Sequence, residues 1–181
     1  MWNILTTMNL EPQDIVVLLK ISKYADGRPP YLQIASELYL SPSRVHASVK
    51  RAKLARLLHG TELGERPNYV ALEEFLIHGV KYAFPAVRGE LSRGVPTGYA
   101  APPLNESIVQ SDEPPPVWPY SLGSVRGYAL YPLHKNVPKA ALEDSHLYAM
   151  LALVDAVRDG RTRERVLAEK EISKRLERLW K

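Results

Sequence analysis

The chain has 181 residues, with 24 lysines and arginines against 20 aspartates and glutamates, and no cysteine. The missing thiols exclude disulfides, thiolate metal sites and a cysteine nucleophile. The net charge of +4 is spread evenly along the chain, so an anion-binding function has to appear as a local imbalance. No apolar run approaches a membrane span, and the N-terminus lacks a charged segment followed by an apolar core. The expectation is a soluble, cytoplasmic protein with no membrane partner, long enough for one or two small domains.

The first element opens at Glu11-Pro12-Gln13-Asp14, with acids where a helix dipole favours them. Ile15, Leu18, Leu19 and Ile21 continue an apolar pattern to about Tyr24, and Asp26-Gly27 breaks it. Residues 31–58 then read as helix, turn, helix. Leu32, Ile34, Ala35 and Leu38 give one apolar face at helical spacing. The helix must stop near Tyr39, because Ser41-Pro42 is a start signal: a serine N-cap followed by proline at the first helical position.

The second helix, expected over 42–56, carries five positive charges, and no Asp or Glu occurs between Leu38 and Thr61. Val45, Val49 and Ala52 form its buried stripe, with Arg56 near its end. The opposite side holds Ser43, Ala47, Lys50 and Leu54, flanked by Arg44, His46, Arg51 and Lys53. A slender face of small and basic residues is what a helix needs to enter a major groove. Ser43, His46, Ala47 and Lys50 are therefore candidates for base edges, and Arg44, Arg51 and Lys53 for phosphates. A solvated basic face, or a helix-turn-helix used only for protein contact, is the bland alternative.

Beyond it, Leu57-Leu58-His59 is expected as a short strand. Gly60 and Gly64-Glu65-Arg66-Pro67 supply turn chemistry, and Asn68-Tyr69-Val70 is expected as the returning strand. The layout over about residues 10–78 resembles the winged helix-turn-helix transcription regulators, most closely the MarR-type families, with Ile34, Ala35, Leu38, Leu40 and Val45 at their core positions. Tyr39 stands where many helix-turn-helix proteins have glycine, and a wider turn is expected to tolerate it. The resemblance implies a wing whose tip reaches DNA, which makes Arg66 a phosphate candidate, although Glu62 and Glu65 flank it. It also implies a homodimer formed through terminal helices.

A further helix is expected from Leu72 to about Tyr82, softened at Gly79 and ended by Pro85. Residues 85–138 hold ten of the fifteen prolines, which excludes long helices there. Interleaved Tyr99, Trp118, Tyr120, Tyr128 and Tyr131 argue against disorder, so this stretch should be an ordered layer of loops and short strands. Arg88-Gly89, Arg93-Gly94 and Arg126-Gly127 recur within it. They are read either as an anion or partner site or as arginines bridging carbonyls and acids. Residues 140–157 are expected as one apolar helix with Leu142, Met150, Leu153, Val154 and Val157, closed by Gly160. Thr162 should cap a last helix striped by Ala168, Ile172, Leu176, Leu179 and Trp180. Arg158, Arg161, Arg163 and Arg165 alternate with acids, as in intramolecular ion pairs.

No Walker loop, G-x-G-x-x-G, G-x-S-x-G or H-E-x-x-H occurs, and His46, His59, His78, His134 and His146 show no metal spacing. Neither enzyme activity, metal nor cofactor is expected. The expected fold is α+β and mainly helical, with a winged helix-turn-helix over 1–84 and an accessory, dimerisation or partner-binding region over 85–181. The expected function is sequence-specific binding of double-stranded DNA as a transcriptional regulator, as a self-repressor. The alternative is an antitoxin-like module that neutralises a protein partner through the C-terminal half.

Overall fold

A computed structural model describes residues 9–24, 28–61, 64–108 and 112–180. The expected break at Asp26-Gly27 and the flanking Glu62 lie outside them. The fold is α+β and mainly helical, with two small sheets.

Helix α1 (Pro12–Ser22) is the central helix: Ile15, Val16, Val17, Leu18, Leu19 and Ile21 are all buried. A helix apolar all round belongs inside, and α1 is covered by the next two helices and by a C-terminal one. Its start is closed by Glu11, whose N–H donates to the Asp14 carboxylate at 2.8 Å. Helix α2 (Tyr31–Leu38) buries Ile34, Ala35 and Leu38. Leu32, expected on that face, points to solvent with 71% of its surface exposed.

Helix α3 (Pro42–Leu54) starts as its sequence demands, with the Ser41 hydroxyl accepting from the Arg44 N–H. It ends two residues earlier than expected. Arg56 takes the left-handed conformation, φ 59°, and turns the chain into the first strand. The turn between α2 and α3 is not widened. Tyr39 itself adopts φ 55°, a conformation that costs a non-glycine residue about 1–2 kcal/mol. Its contacts offset that cost. The Asn136 amide donates to the Tyr39 carbonyl at 2.6 Å, the Tyr39 hydroxyl donates to Glu143, and Lys139 sits 3.8 Å over the ring.

Strands β1 (Leu58–Thr61) and β2 (Gly64–Pro67) form an antiparallel hairpin, with Leu58 opposite Pro67 and His59 opposite Arg66. Gly60 and residues 64–67 are therefore strand, not turn. The returning strand lies earlier than the expected Asn68-Tyr69-Val70. Asn68 instead caps helix α4 (Tyr69–Glu74), its side chain accepting from the Ala71 N–H. A side chain that satisfies an orphan helix donor outweighs weak strand propensity. The helix runs on through a π turn, Phe75–Gly79, into α5 (Val80–Ala83). A Cβ on Gly79 would lie 2.9 Å from the Phe75 ring.

Over its described residues the proline-rich stretch is a layer of short strands and 3-10 turns, as expected. Strands β3 (Arg88–Pro96), β4 (Pro116–Pro119) and β5 (Val125–Leu130) close into a three-stranded barrel. β3 pairs antiparallel with both others, and β4 and β5 pair in parallel. Gly94 is opposite both Pro119 and Val125, and a Cβ there would stand 2.1 Å from the Trp118 carbonyl oxygen.

The expected single helix over 140–157 is two, α6 (Val137–Glu143) and α7 (Ser145–Asp159). Asp144 breaks the run by accepting from the His146 and Leu147 N–H groups as an N-cap. Leu142, expected in the buried stripe, is 56% exposed. Helix α8 (Thr162–Trp180) buries Ala168, Ile172 and Leu176. Thr162 is its first helical residue rather than its cap; the Arg161 N–H is met by the Glu164 carboxylate. Trp180 lies off the stripe, 51% exposed.

Helices α7 and α8 pack on each other within the chain. Side chains of α1–α5, the barrel and α6–α8 join in one apolar cluster. Lys20 of α1, almost fully buried, ties the halves together: its ammonium lies 2.6 Å from both Asp144 and Glu37. No helix among the described residues is long and apolar enough to cross a membrane.

Candidate nucleic-acid interface

Helix α3 divides its residues cleanly. Val45, Ser48, Val49 and Ala52 are buried against α1 and α2. Ser43, Arg44, His46, Lys50, Lys53 and Leu54 are exposed, and Ala47 is half-buried between them. The four base-edge candidates thus share the solvent side of one helix. Ser43 places its hydroxyl 2.9 Å from that of Ser41, and His46 meets the Tyr31 ring edge-on at 5.7 Å.

The phosphate candidates part company. Arg44 is exposed and makes one long contact, 3.4 Å, to the Gln13 side chain. Arg51 is committed elsewhere. Its guanidinium grips Asp14 in a two-pronged pair at 2.6 and 2.7 Å and reaches Glu11 at 3.1 Å. Asp14 is fully buried and the Arg51 side chain only 13% exposed. The Asp14 contact, outweighing burial, raises the Arg51 pKa further. Arg51 therefore fastens α3 to α1 and is withdrawn from the exposed face. No local signal marks this, since Asp14 also reads as an ordinary first-turn acid.

Lys53 is half-exposed, 3.6 Å from the Glu65 carboxylate. Arg66 is half-buried in β2 opposite His59, two pairs back from the last described pair Thr61–Gly64. Arg66 is thus not at the wing tip where the sequence reading placed it.

Glu65, which seemed unfavourable beside a phosphate backbone, is neutralised by residues the sequence reading did not single out. Arg28 contacts it at 2.5 Å and the Tyr31 hydroxyl donates to it at 3.0 Å. Burial alone would raise the pKa of Glu65; the bonds from Arg28 and Tyr31 bring it below the ordinary carboxylate value instead. The Arg28 guanidinium also stacks 3.8 Å from the Tyr31 ring. Together these contacts pin the hairpin to the start of α2 and shape a hollow lined by Tyr31, His46, Val49, Lys50, Lys53, Leu54 and the paired Glu65. The other flank of α3, at Arg44 and Ala47, is bordered by Leu133 and His134. Burial, with Arg44 and Lys135 nearby, lowers the His134 pKa, so this border carries a neutral imidazole near pH 7.

What the arrangement offers chemically is a rigid helix with a polar, basic, acid-free outer face, flanked by a hairpin. No group of His, Asp and Glu among the described residues is arranged to hold a metal ion. No protein-family model, curated protein or solved structure matches this chain.

Proposed function

We propose that the chain is a sequence-specific DNA-binding regulator of transcription that inserts α3 into the major groove, with the β1–β2 hairpin as the wing of a winged helix. The observation that carries this reading is the outer face of α3. Ser43, His46 and Lys50 stand together in solvent around the half-buried Ala47, with Arg44 and Lys53 beside them, and no acid occurs from Leu38 to Thr61. At about 1.5 Å per residue the helix is roughly 20 Å long, enough to cross a groove. Small residues near its start let the backbone approach base edges, and Lys50 can donate to guanine. Arg44 and Lys53 set the register on phosphates. The MarR-like resemblance adds repression of its own promoter and a homodimer reading two half-sites about 34 Å apart.

The test is binding of the purified chain to its own upstream DNA and to a scrambled duplex, by fluorescence anisotropy at two salt concentrations. A preference of about a thousandfold or more supports the reading. Lys50→Ala should relax the preference at one base position, whereas Lys53→Ala should weaken all sequences alike and flatten the salt dependence. Equal binding of both duplexes by the wild type, or identical behaviour of the two variants, sinks the groove assignment and turns the search to a protein partner of the C-terminal half.

A further inference from the structure

The three Arg-Gly pairs of the barrel separate into two kinds. Arg88 is used internally, its guanidinium 2.8 Å from Asp159. Arg93 and Arg126 are not: they are directly opposite one another on β3 and β5, both exposed. Among the described residues neither has an acid or carbonyl partner. Like charges directly opposite on an antiparallel pair oppose each other's presence, at side-chain separations of roughly 5 Å.

The glycines beside them hold the two strands close at this register. A Cβ on Gly94 would stand 2.1 Å from the Trp118 carbonyl oxygen, on Gly127 1.9 Å from the Pro115 carbonyl oxygen, and on Gly123 2.2 Å from the Gly94 backbone. The backbone carrying both arginines is therefore packed against backbone on each side. The arginines border an open hollow of about 510 Å³, whose other lining residues are Leu91, Ser92 and Ser124. Glu90, the acid nearest in sequence, sits in the irregular stretch between Arg88 and Leu91 and forms no ion pair with either arginine among the described residues.

We propose that Arg93 and Arg126 form an anion clasp for a phosphate of a nucleic-acid backbone, a second contact separate from α3. The proposal rests on nucleic acid being the partner of this chain, though not on α3 being the reading element. Two guanidinium forks carried at paired strand positions can reach the oxygens of one phosphate, and the bound anion removes their mutual repulsion. The hollow is open, whereas a small free ligand is ordinarily enclosed over most of its surface. The exposed cross-strand pair Leu91 and Tyr128 continues the same strand face, so a polymer has surface to follow beyond the clasp.

The experiment compares Arg93→Ala/Arg126→Ala with His46→Ala/Lys50→Ala on the native and scrambled duplexes across a salt series, with melting temperatures to confirm folding. The clasp variant should lose roughly tenfold in affinity for both duplexes and flatten the slope of log K against log salt by about 1. Its sequence preference should be unchanged. The α3 variant should lose the preference instead. An unchanged slope in a folded clasp variant overturns the clasp while leaving α3 standing; an unchanged preference in the α3 variant overturns α3 while leaving the clasp standing. Titration of the wild type with inorganic phosphate, followed by the Nε signals of the two arginines, reads the site without DNA. Both signals should move together with one dissociation constant, and signals that stay still overturn the proposal.

Discussion

In α3 the backbone hydrogen bonds stay inside the segment, and Val45, Val49 and Ala52 are buried at helical spacing. In β3 the backbone is satisfied by strands that begin at Pro116 and Val125, and the tightest contacts fall on glycines where one backbone crosses another. A helix is specified by residues three and four apart. A three-stranded barrel is specified by which distant carbonyl a missing side chain makes room for. The two regions should therefore fail differently: α3 by small increments at its cap and its ion pairs, and the barrel abruptly wherever a crossing is blocked or its anchor to α7 is cut.

The anchor gives the largest expected effect. Asp155 of α7 is buried and accepts from Trp118 at 2.6 Å, Thr97 at 2.8 Å and Arg158 at 2.6 Å. Burial pushes its pKa up against the pull of these three donors. Asp155→Ala leaves the Thr97 and Trp118 donors unmet and a buried guanidinium without its counter-charge, and should cost about 3–5 kcal/mol in urea denaturation. A wild-type midpoint would mean that the Phe84 and Pro85 carbonyls, which Arg158 also contacts, are sufficient partners by themselves.

Next comes a blocked crossing. Gly127→Ala should destabilise by up to about 3 kcal/mol through overpacking. Gly60→Ala in the hairpin, where the nearest atom is the flexible end of Lys53 at 3.6 Å, should stay within about 0.5 kcal/mol. Equal thermal shifts for the two variants would erase the proposed contrast between barrel and hairpin.

The Lys20–Asp144 tie between the halves should show in acid. Burial alone would raise the Asp144 pKa, but the bonds from Lys20 and the Leu147 N–H outweigh it and bring it to about 2 from an ordinary 3.8. A depressed carboxylate stabilises the fold above its unfolded pKa. That stability, about 2 kcal/mol, is lost as pH falls from about 4 towards 2. Asp144→Asn keeps a competent helix cap while removing the charge, so its stability should vary less over that window. An unchanged acid profile would place the acid sensitivity at another carboxylate. The smallest expected effect is Ser41→Ala, about 1 kcal/mol from the lost N-cap of α3, measured by thermal melting.

Legibility followed the same divide. Ser41-Pro42, the Ile34, Ala35 and Leu38 stripe, and the exposed Ser43, His46 and Lys50 face were readable because periodicity and capping act over a few residues. Arg51 was misread because its partner Asp14 lies on another helix, and nothing in either neighbourhood marks the pair. Arg66 was misplaced along with the returning strand. Pro67 closes the ladder at Leu58, and Asn68 is more effective as a cap than as a strand residue. Leu142 was misassigned because the carboxylate that breaks its helix is held by Lys20 from a different part of the chain.

By itself, then, the sequence determined the first three helices and the Ser41 cap, the strand-bearing character of the proline-rich stretch, and the acid-free basic helix that carries the proposed function. These follow from local sterics and hydrogen-bond accounting. Only the tertiary structure decided which charges remain at the surface. Arg51 and Arg88 are drawn to acids on other elements and Arg158 reaches the Phe84 and Pro85 carbonyls, while among the described residues Arg93 and Arg126 are set side by side without an acid partner. The physical reason is that a charged side chain reaches whatever the fold brings within a few ångströms, and sequence spacing does not encode that distance.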